Sequence, residues 1–543
     1  FSPDIERTIS IMDYAVIIIS AIEKVQSHTK TVFRLLRKYN VPTIFFVNKI
    51  DREGANLDEV ISDIKNSLTS DVINISDNLN LDLDNILSED IIEFIAERDD
   101  YLFERYLEED YDKDLWIDSI KKMVKESKIY PLMYGSALQD IGINEFMIFE
   151  TMQSKSYIDG KEVKGDPFNS LEDLINKYKY NLNSDIPFLS GAIGYISYDA
   201  GRMLEELPDT SKEDFSIPDI RFIFYKNIII FDLENNKKYI TDIDGDDERV
   251  KELLNIIHNG NKLNDREVAE KSTNKFYSNF KKEEYKKAVS KLKNYIETGD
   301  VYIANMTQRF WCENNKESFS IYEKLRSINK APFSAFLNFE DFQIISSSPE
   351  RFIQVKDNKA HTRPIKGTRP RGASLEEDEK NKLELINSEK DKAELLMVVD
   401  LERNDFSKVC KPHTVKVTEN FKLEEYATVF HLVSTVEGEL KNESSSVKCI
   451  KECFPGGSIT GTPKIRAMEV IEELEGLKRN LYTGSIGYFD FNGNCDFNIV
   501  IRTIIKKDNK AYFGVGGGIT YESIEEDEYL ETLDKAKALM RVL

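Results

Sequence analysis

The sequence predicts an α+β fold, with large, mostly antiparallel sheets flanked by helices, preceded by an incomplete α/β segment. From Lys281 onward, helical patterns are interspersed with runs of several strands, which is typical of α+β proteins. Near the start, two continuous apolar runs flank a helical pattern, as in a parallel βαβ unit. Because the chain has 543 residues, we expect roughly two to four folded units.

The composition argues against several classes of protein. The chain has 97 acidic and 74 basic residues and a net charge of −23, which argues against a general nucleic-acid binder. No apolar run is long enough to span a membrane, and we expect no secretory signal. The five cysteines are scattered through the second half, as in a protein with reduced thiols. We therefore expect a cytoplasmic protein with no nucleic-acid or membrane partner.

The first 147 residues have the pattern of a parallel sheet. Residues 14–21 and 42–47 are continuous apolar runs, typical of strands buried on both faces, and a helical pattern over 29–39 lies between them. A third apolar run, 129–134, follows a long charged helical region. This order predicts βαβ architecture.

Polar motifs directly follow two of these strands, at Asn48-Lys49-Ile50-Asp51 and Gly135-Ser136-Ala137-Leu138. Both motifs lie at the carboxyl ends of strands, where open α/β sheets bind ligands. The segment resembles the GTPase domain of elongation factor G and of the tetracycline-resistance ribosomal protection proteins. This resemblance implies that Asn48, Lys49 and Asp51 read a guanine base and that Ser136 and Ala137 lie behind it.

The phosphate-binding motif of that family does not occur in the sequence. No Gly-x-x-x-x-Gly-Lys-Ser/Thr loop is found in the 543 residues, so nothing in them would hold phosphates, and we expect no GTP binding. The chain starts with Phe1 rather than Met, and the sequence changes character over a short stretch near residues 147–156. A purposeful fusion and a fragmentary or misassembled reading frame both fit this pattern.

The residues after this change carry local signals for a small lobe. In order, these signals predict a tight hairpin, a helix capped by Ser170, a strand that passes close to another backbone, and two further strands. The predicted ranges are 157–163, 170–180, 187–199, 221–232 and 237–242. The charged stretch that follows carries no motif and indicates a surface helix and a linker.

Two pairs of acidic residues lie on predicted helices. Asp391 and Glu394, and likewise Glu528 and Glu531, are three residues apart, so each pair lies on one face of its helix. Such pairs are common on solvated helix surfaces, which is the simpler interpretation of each pair alone. If the two pairs converge, they form an oxygen-ligand site suited to Mg²⁺, with Lys535 one turn beyond Glu531.

A single lysine, Lys366, lies between a β-like run and a Gly-Thr turn, with arginines on both sides. Neighbouring cations and apolar groups favour the neutral form of an amine, and a neutral amine is a nucleophile toward electron-poor carbon. The alternative interpretation is a solvated basic turn.

Several other stretches are candidates for binding an anion. Residues 454–464 form a Gly-rich turn before a helix, and the glycines at 514–518 let a ligand approach the backbone of a strand. Arg502 is a lone charge within an apolar strand, so it requires either a substrate carboxylate or an internal salt bridge. His431 is similarly isolated on an apolar strand, as a satisfied core histidine usually is.

Together and in this order, these motifs resemble the chorismate-utilising enzymes over residues 157–543. The markers are residues 348–351, the Lys366 segment, residues 391–405, His431, residues 455–464 and 482–488, Arg502 and residues 528–535. The resemblance implies the α+β fold of that family. It divides the chain into a GTPase-like segment (1–147), a partial amino-terminal lobe (148–274) and a chorismate-binding catalytic domain (275–543).

The resemblance also implies a role for each motif. Glu394 and Glu531 would ligate Mg²⁺, with Asp391 and Glu528 near its waters, and Mg²⁺ would hold the ring carboxylate of chorismate. Glu350 would be the general acid on the departing C4 hydroxyl. The remaining substrate-binding residues would be Thr368, His431, Ser458, Tyr482, Arg502, Gly517, Gly518 and Lys535.

Lys366 selects one branch of the family. The aminodeoxychorismate synthases, component I, resemble this chain in having Pro-Ile-Lys-Gly-Thr here, whereas anthranilate synthases typically have Pro-Ile-Ala-Gly-Thr. In the first branch the lysine amine adds at C2 of the ring, and ammonia then enters at C4. Ile303 stands where isochorismate and salicylate synthases have a water-activating lysine, which argues against water as the nucleophile. The ammonia would come from a separate glutamine amidotransferase subunit.

The resemblance thus predicts conversion of chorismate to 4-amino-4-deoxychorismate, for 4-aminobenzoate and folate synthesis. An anthranilate synthase component I is the alternative within the family. A ribosome-associated guanine-nucleotide-binding protein is the alternative from another class.

Overall fold

The computed structural model describes residues 14–48, 55–75, 89–107, 113–134, 147–182, 186–243, 274–339, 341–426 and 429–543, with a few single residues between them. The chain divides into two compact units, 1–144 and 145–543. Within the described ranges, no helix is both long enough and apolar enough to cross a membrane.

The first unit contains a parallel sheet with strand order β1-β2-β4-β3. Its strands are β1 (Ala15–Ser20), β2 (Thr43–Asn48), β3 (Val72–Asn74) and β4 (Tyr130–Tyr134). Its helices are α1 (Ser27–Lys38), α2 (Leu57–Ser67), α3 (Glu89–Ala96), α4 (Asp100–Leu107) and α5 (Lys113–Lys125). The parallel βαβ architecture predicted from the apolar runs is confirmed.

One detail of that prediction is wrong, because β1 is not buried on both faces. Ile17 and Ile19 are buried in the core of this unit, whereas Val16 and Ile18 are 58% and 66% exposed. Only one face of β1, which lies at the edge of the described sheet, packs against the described core of this unit. Of the predicted guanine-binding residues, Asn48 ends β2. Lys49, Asp51, Ser136 and Ala137 lie outside the described residues.

The strands of the second unit pair antiparallel throughout its described part. They are β5 (Met147–Met152), β6 (Lys155–Ile158), β7 (Lys161–Val163), β8 (Gly191–Ile196), β9 (Ile220–Tyr225), β10 (Asn227–Asp232), β11 (Lys237–Asp242), β12 (Tyr277–Ser278), β13 (Ile303–Glu313), β14 (Phe333–Asn338), β15 (Phe342–Ser348), β16 (Arg351–Lys356), β17 (Lys359–Arg363), β18 (Ile365–Pro370), β19 (Lys416–Glu425), β20 (Val429–Glu439), β21 (Gly461–Thr462), β22 (Ser485–Asp490), β23 (Cys495–Asn498), β24 (Thr503–Lys507) and β25 (Lys510–Ile519). Its helices are α6 (Pro167–Lys177), α7 (Lys282–Glu297), α8 (Ser318–Ile328), α9 (Leu375–Asn387), α10 (Glu389–Val409), α11 (Ser446–Cys453), α12 (Lys464–Glu475) and α13 (Glu525–Val542).

Two large sheets organise this unit. One has the order β12-β13-β25-β24-β15-β14, with β21 paired to β13. The other has the order β18-β20-β17-β16-β23-β22-β8-β9-β5-β6-β7, with β19 paired to β20. Strands from both predicted parts, 148–274 and 275–543, therefore hydrogen-bond within one sheet. The division at residue 274 stays a prediction.

Two local predictions in this unit are corrected. The predicted helix over 170–180 is α6, which begins earlier and is capped by Asp166 rather than by Ser170. The Asp166 carboxylate accepts a hydrogen bond of 2.9 Å from the backbone N–H of Asn169, and Pro167 occupies the first turn. The single strand predicted over 221–232 is two strands, β9 and β10, which belong to different sheets. The hairpin around Asp159 and Gly160 is confirmed.

The acidic pairs are carried by helices that pack on different cores. Helix α10 buries Leu395, Val399 and Phe406 against the core of the larger sheet. Helix α13 buries Ala536 and Leu539 against the smaller sheet. The two helices therefore bring their carboxylates from separate parts of the fold.

Candidate active site

Lys366 extends from the larger sheet toward the glycines of the smaller one. Its amino group donates a hydrogen bond to the carbonyl oxygen of Ser458 at 3.2 Å. It also lies 3.9 Å from the point that a Cβ on Gly518 would occupy. The predicted Gly-rich turn and the predicted glycine strand thus both meet this amine.

Gly517 faces the acidic residues of α13. A Cβ on Gly517 would lie 3.3 Å from Glu531 Oε1, 3.4 Å from Glu528 Oε2 and 3.7 Å from Lys535 Nζ. Because Gly517 and its neighbour Gly518 have no side chains, nothing of β25 itself fills the space beside the amine and the carboxylates.

Glu350 is a buried acid near Lys366. Its side chain is 7% exposed, and its Oε1 has no hydrogen-bond partner among the described residues. Burial raises the pKa of Glu350, although the positive charges of Lys366 and Lys535 oppose this effect. A buried carboxyl that favours its proton and has one unpaired oxygen is suited to donate that proton to a bound hydroxyl.

The four predicted metal-site carboxylates are each engaged within the protein. Burial raises the pKa of Glu394 and of Glu528, and the charge of Glu531 adds to both effects. At Glu531 burial acts in the same direction, but Lys535, Lys390 and Lys366 outweigh it and lower the pKa. The contacts are Arg369 with Asp391 at 3.2 Å, Lys390 with Glu394 at 4.0 Å, Ser523 with Glu528 at 2.6 Å and Lys535 with Glu531 at 2.7 Å.

These carboxylates do not form a preformed cage. Among the described residues, no group of three or more His, Cys, Asp or Glu side chains is arranged to hold a metal ion. This differs from the four-carboxylate arrangement expected from the sequence, because arginine and lysine side chains already pair with several of the acids. The donor chemistry still fits Mg²⁺, which prefers oxygen, keeps several waters and takes only one or two carboxylates directly. The mutual repulsion of the acids is also what a divalent cation would relieve.

Arg502 does not lie within a strand, as the sequence suggested. It precedes β24 in a left-handed backbone conformation with φ of +51°. Its guanidinium donates to Asn329 Oδ1 at 3.4 Å, and no carboxylate of the described residues lies within 4 Å of it. Burial lowers the pKa of Arg502, while Glu350 attracts its charge. An internal salt bridge is therefore not what holds this arginine.

His431 is confirmed as a buried histidine on a strand, β20, where it is 5% exposed. Its Nδ1 shares a hydrogen bond of 2.9 Å with the Thr368 hydroxyl. Burial, aided by the charge of Arg502, lowers the pKa of His431 to about 4. The histidine is therefore neutral at physiological pH and lies close to both Thr368 and Arg502.

Tyr482 is the predicted site residue that the structure does not join to the others. It is buried, and its ring lies against the backbone of Gly514. Among the described residues, no hydrogen bond or ion pair connects it to Lys366, Arg502 or the carboxylates of α10 and α13.

Sequence reasoning missed two residues of this region, Lys390 and Glu402. Lys390 contributes positive charge to both Glu394 and Glu531. Glu402 is a second buried acid, 9% exposed, whose charge would repel that of Glu350. Neither position has a sequence signal of its own, because each acts through contacts that only the fold creates.

Comparisons with known proteins identify the families that the chain is similar to. Residues 130–541 match the family described as chorismate binding enzyme, and residues 1–178 match the elongation factor Tu GTP binding domain. The chain is 36% identical over 448 residues to aminodeoxychorismate synthase component 1 of Bacillus subtilis, and this alignment covers 80% of this chain and 95% of that protein. It is 37% identical over 425 residues to anthranilate synthase component 1 of Acetivibrio thermocellus, which covers 74% and 86%.

A solved structure is also similar. The anthranilate synthase component I from Streptococcus pneumoniae TIGR4 superimposes with a TM-score of 0.67 at 32% identity, and the match covers 73% of this chain and 91% of that chain. The predicted fold class and the predicted resemblance of the first segment to translational GTPases are confirmed. By its sequence, its two antiparallel sheets and the length of its match, the chain belongs to the family of chorismate-binding enzymes.

Proposed function

We propose that this protein is an aminodeoxychorismate synthase component I. It would convert chorismate and ammonia to 4-amino-4-deoxychorismate, and a separate glutamine amidotransferase subunit would supply the ammonia. The observation that carries this proposal is the position of the Lys366 amine. It lies 3.9 Å from where a Cβ on Gly518 would be, and it is near the acid Glu350. The similar proteins include both aminodeoxychorismate and anthranilate synthases, so Lys366 is what favours the first.

Two residues perform the proposed chemistry: Glu350 is the general acid and Lys366 is the nucleophile. Glu350 donates its proton to the C4 oxygen of chorismate, which leaves as water while the Lys366 amine forms a bond to C2. Ammonia then forms a bond to C4, the bond between Lys366 and C2 breaks, and the amine is free again. The proton that ammonia loses balances the proton that left with water.

The anionic groups of the substrate are held by the surrounding charges. Arg502, which has no carboxylate partner within 4 Å in the described ranges, is suited to bind one carboxylate of chorismate. Glu394 and Glu531, one from each helix, are the residues that would hold Mg²⁺. When bound, Mg²⁺ would supply positive charge for the other carboxylate.

Ile303 supports ammonia rather than water as the second nucleophile. It is 5% exposed. Its Cδ1 lies 3.2 Å from where a Cβ on Gly518 would be, and the Lys366 amine lies 3.9 Å from the same position. An apolar side chain at this position cannot take a proton from water.

Product identification tests the proposal. The purified protein is incubated with chorismate, Mg²⁺ and ammonium, and the products are identified by mass spectrometry. We expect 4-amino-4-deoxychorismate, which retains the enolpyruvyl group, and no release of pyruvate. Anthranilate together with pyruvate would instead assign the chain to the anthranilate synthase branch.

The match of residues 1–178 to a GTP-binding domain raises a second candidate, a guanine-nucleotide-binding protein. Because the sequence contains no phosphate-binding loop, we expect no saturable binding of a fluorescent GTP analogue. Tight binding of the analogue would instead support the guanine-nucleotide-binding function.

A further inference from the structure

Arg502 is held, at its side chain and at its backbone, by two residues to which the proposed chemistry gives no role. Its guanidinium donates a hydrogen bond to the side-chain oxygen of Asn329, Oδ1, at 3.4 Å. Its carbonyl oxygen accepts a hydrogen bond of 3.2 Å from the backbone N–H of Ser347. Asn329 directly follows α8, and Ser347 lies in β15. Two elements outside β24 therefore fix the position of this arginine.

The side-chain amide of Asn329 has one orientation that satisfies its neighbours. Its Nδ2 donates to the hydroxyl oxygen of Ser347 at 3.1 Å, and that hydroxyl donates to the backbone carbonyl oxygen of Asn329. Because the hydroxyl has already used its only proton, it can only accept from the amide. A rotated amide would also point its N–H groups at the guanidinium of Arg502, which has no acceptor. The oxygen Oδ1 is therefore fixed toward Arg502.

A neutral acceptor at residue 329 leaves the positive charge of Arg502 unpaired. Within the described part of the chain, no carboxylate lies within 4 Å of this guanidinium. An amide oxygen accepts one of the guanidinium N–H groups without neutralising the charge, whereas a carboxylate would form a bond roughly twice as strong. A bound anion would have to break that stronger bond. The chemistry of residue 329 therefore decides how much of the charge is available to a ligand.

We propose that Asn329 is a positioning residue for substrate binding, which orients the Arg502 guanidinium through a neutral hydrogen bond and leaves its charge for a carboxylate of chorismate. The inference rests on the proposed function, which assigns that carboxylate to Arg502. It adds that residue 329 must be a neutral acceptor. Asparagine and aspartate have nearly the same size and shape, so exchanging them separates the effect of charge from the effect of packing.

Two variants of Asn329 test the proposal through the KM for chorismate. Asn329→Asp offers the guanidinium a carboxylate that the substrate must displace. We expect its KM to rise about tenfold or more, the scale of a hydrogen bond between charged groups, with kcat little changed. Asn329→Ala removes the acceptor without adding a charge, so we expect a smaller rise in KM, about threefold. A wild-type KM in Asn329→Asp, or a higher KM in Asn329→Ala than in Asn329→Asp, would overturn the proposal.

The melting temperatures of the two variants should follow the opposite order. The aspartate can pair with Arg502 and accept a hydrogen bond from the Ser347 hydroxyl, whereas alanine loses the side-chain contacts to both residues. Asn329→Asp should therefore melt at a higher temperature than Asn329→Ala. A residue with only a structural role would make the less stable variant also the weaker binder. That result would contradict the inference.

A double-mutant cycle tests whether residue 329 acts through Arg502. Arg502→Gln removes the charge and should raise the KM by itself. In that background, Asn329→Asp should raise the KM further by less than about twofold, because no cation remains for the aspartate to pair with. A full tenfold rise would show that the aspartate repels the substrate directly, and an unchanged KM in Arg502→Gln alone would remove the carboxylate site. Either result would overturn the proposal.

A matched control makes the same change of charge away from Arg502. Asn509→Asp lies at the exposed turn between β24 and β25, at the other end of the strand that Arg502 precedes. It should have the KM of the wild type. A rise equal to that of Asn329→Asp would attribute the effect to net charge and contradict the inference.

Product identity separates this inference from the proposed function. If the wild-type protein released anthranilate and pyruvate, the proposed function would fail. Both reactions start from chorismate, so the order of the KM values would still decide the role of Asn329. Calorimetric titration with chorismate and Mg²⁺, without ammonium, should give the same order as Kd values and does not depend on turnover. If the aminated product forms but this order is absent, the inference fails alone.

Discussion

The amino group of Lys366 donates its hydrogen bond to the backbone of Ser458, at 3.2 Å, and not to a side chain. A carbonyl oxygen has no titratable charge, so it orients the amine without forming an ion pair with it. Ser458 belongs to the short helical turn Gly457–Ile459, so the Gly-rich loop fixes where the amine points. The first prediction concerns this amine.

Lys366→Ala should abolish amination, because the ring then lacks its first nucleophile. We expect the rate of 4-amino-4-deoxychorismate formation to fall by about a hundredfold or more, the scale seen when a reacting group is removed, while chorismate still binds. Lys359→Ala, at an exposed lysine on the preceding strand, is the control. Full amination by the Lys366→Ala protein would refute the nucleophile role.

Gly517→Ala should weaken substrate binding with little effect on folding. The added methyl group would come within 3.4 Å of Glu528 Oε2 and Glu531 Oε1, where the ligand is expected. We expect the KM for chorismate to rise about tenfold, or ~1.4 kcal/mol, with the melting temperature nearly unchanged. An unchanged KM would place the substrate elsewhere.

Mg²⁺ should be required for activity, and Glu394 and Glu531 should set its affinity. We expect no amination in the presence of a chelator and a raised apparent Kd for Mg²⁺ in Glu394→Gln, as measured by calorimetry with chorismate present. Glu389→Gln makes the same change at the highly exposed start of α10 and should bind Mg²⁺ like the wild type. If Glu394→Gln also did so, these carboxylates would not be the ligands.

His431 should make the catalytic unit sensitive to acid. In the unfolded chain a histidine has a pKa of about 6.5, whereas the pKa of folded His431 is about 4. Between these values the unfolded state binds the extra proton, so the free energy of unfolding falls as the pH drops from 6.5 toward 4, by about 3 kcal/mol in full. Above pH 6.5 the contribution is complete.

Urea unfolding at pH 7 and pH 4.5 measures this effect. The Trp116→Phe background leaves Trp311, in β13, as the fluorescent reporter of the second unit. His431→Gln should lose much of the pH dependence, whereas the exposed His413→Gln should keep it. Equal pH dependence in both variants would contradict the assignment.

Arg479 and Glu475 form a fully buried ion pair that should be costly to break. Their side chains are 2% and 4% exposed and lie 2.7 Å apart. Arg479→Met leaves an unpaired buried carboxylate, and we expect a loss of about 3–5 kcal/mol in the free energy of unfolding. The double variant Arg479→Met, Glu475→Met removes both charges and should recover part of that loss. If it does not, the pair is not the source of the stability.

The local chemistry of the site was predictable, whereas its connections were not. Lys366 and the two acidic pairs carry signals in residue type and spacing, whereas Glu350 was identified only through the resemblance to the chorismate-utilising enzymes. These positions are close to one another in the fold. The contact between Arg369 and Asp391 and the approach of Lys390 to Glu531 join residues from separate elements, and periodicity contains no information on such pairs. The same limit explains why Glu402 was missed.

Two predictions of backbone structure were wrong for a different reason. Apolar residues on both sides of Arg502 predicted an uninterrupted strand, but hydrophobicity does not report a left-handed φ. At α6, by contrast, the signal was present: an aspartate before a proline marks a helix start better than a serine three residues inside.

At Arg502, the left-handed backbone favours glycine, whereas binding of an anion requires the arginine side chain. A residue with a Cβ has a conformational free energy roughly 1 kcal/mol or more higher in that backbone conformation, whereas glycine does not. A search for thermostable variants by backbone criteria alone would therefore choose glycine at this position and discard the guanidinium. Persistence of arginine here in evolved descendants would indicate that anion capture outweighs conformational ease.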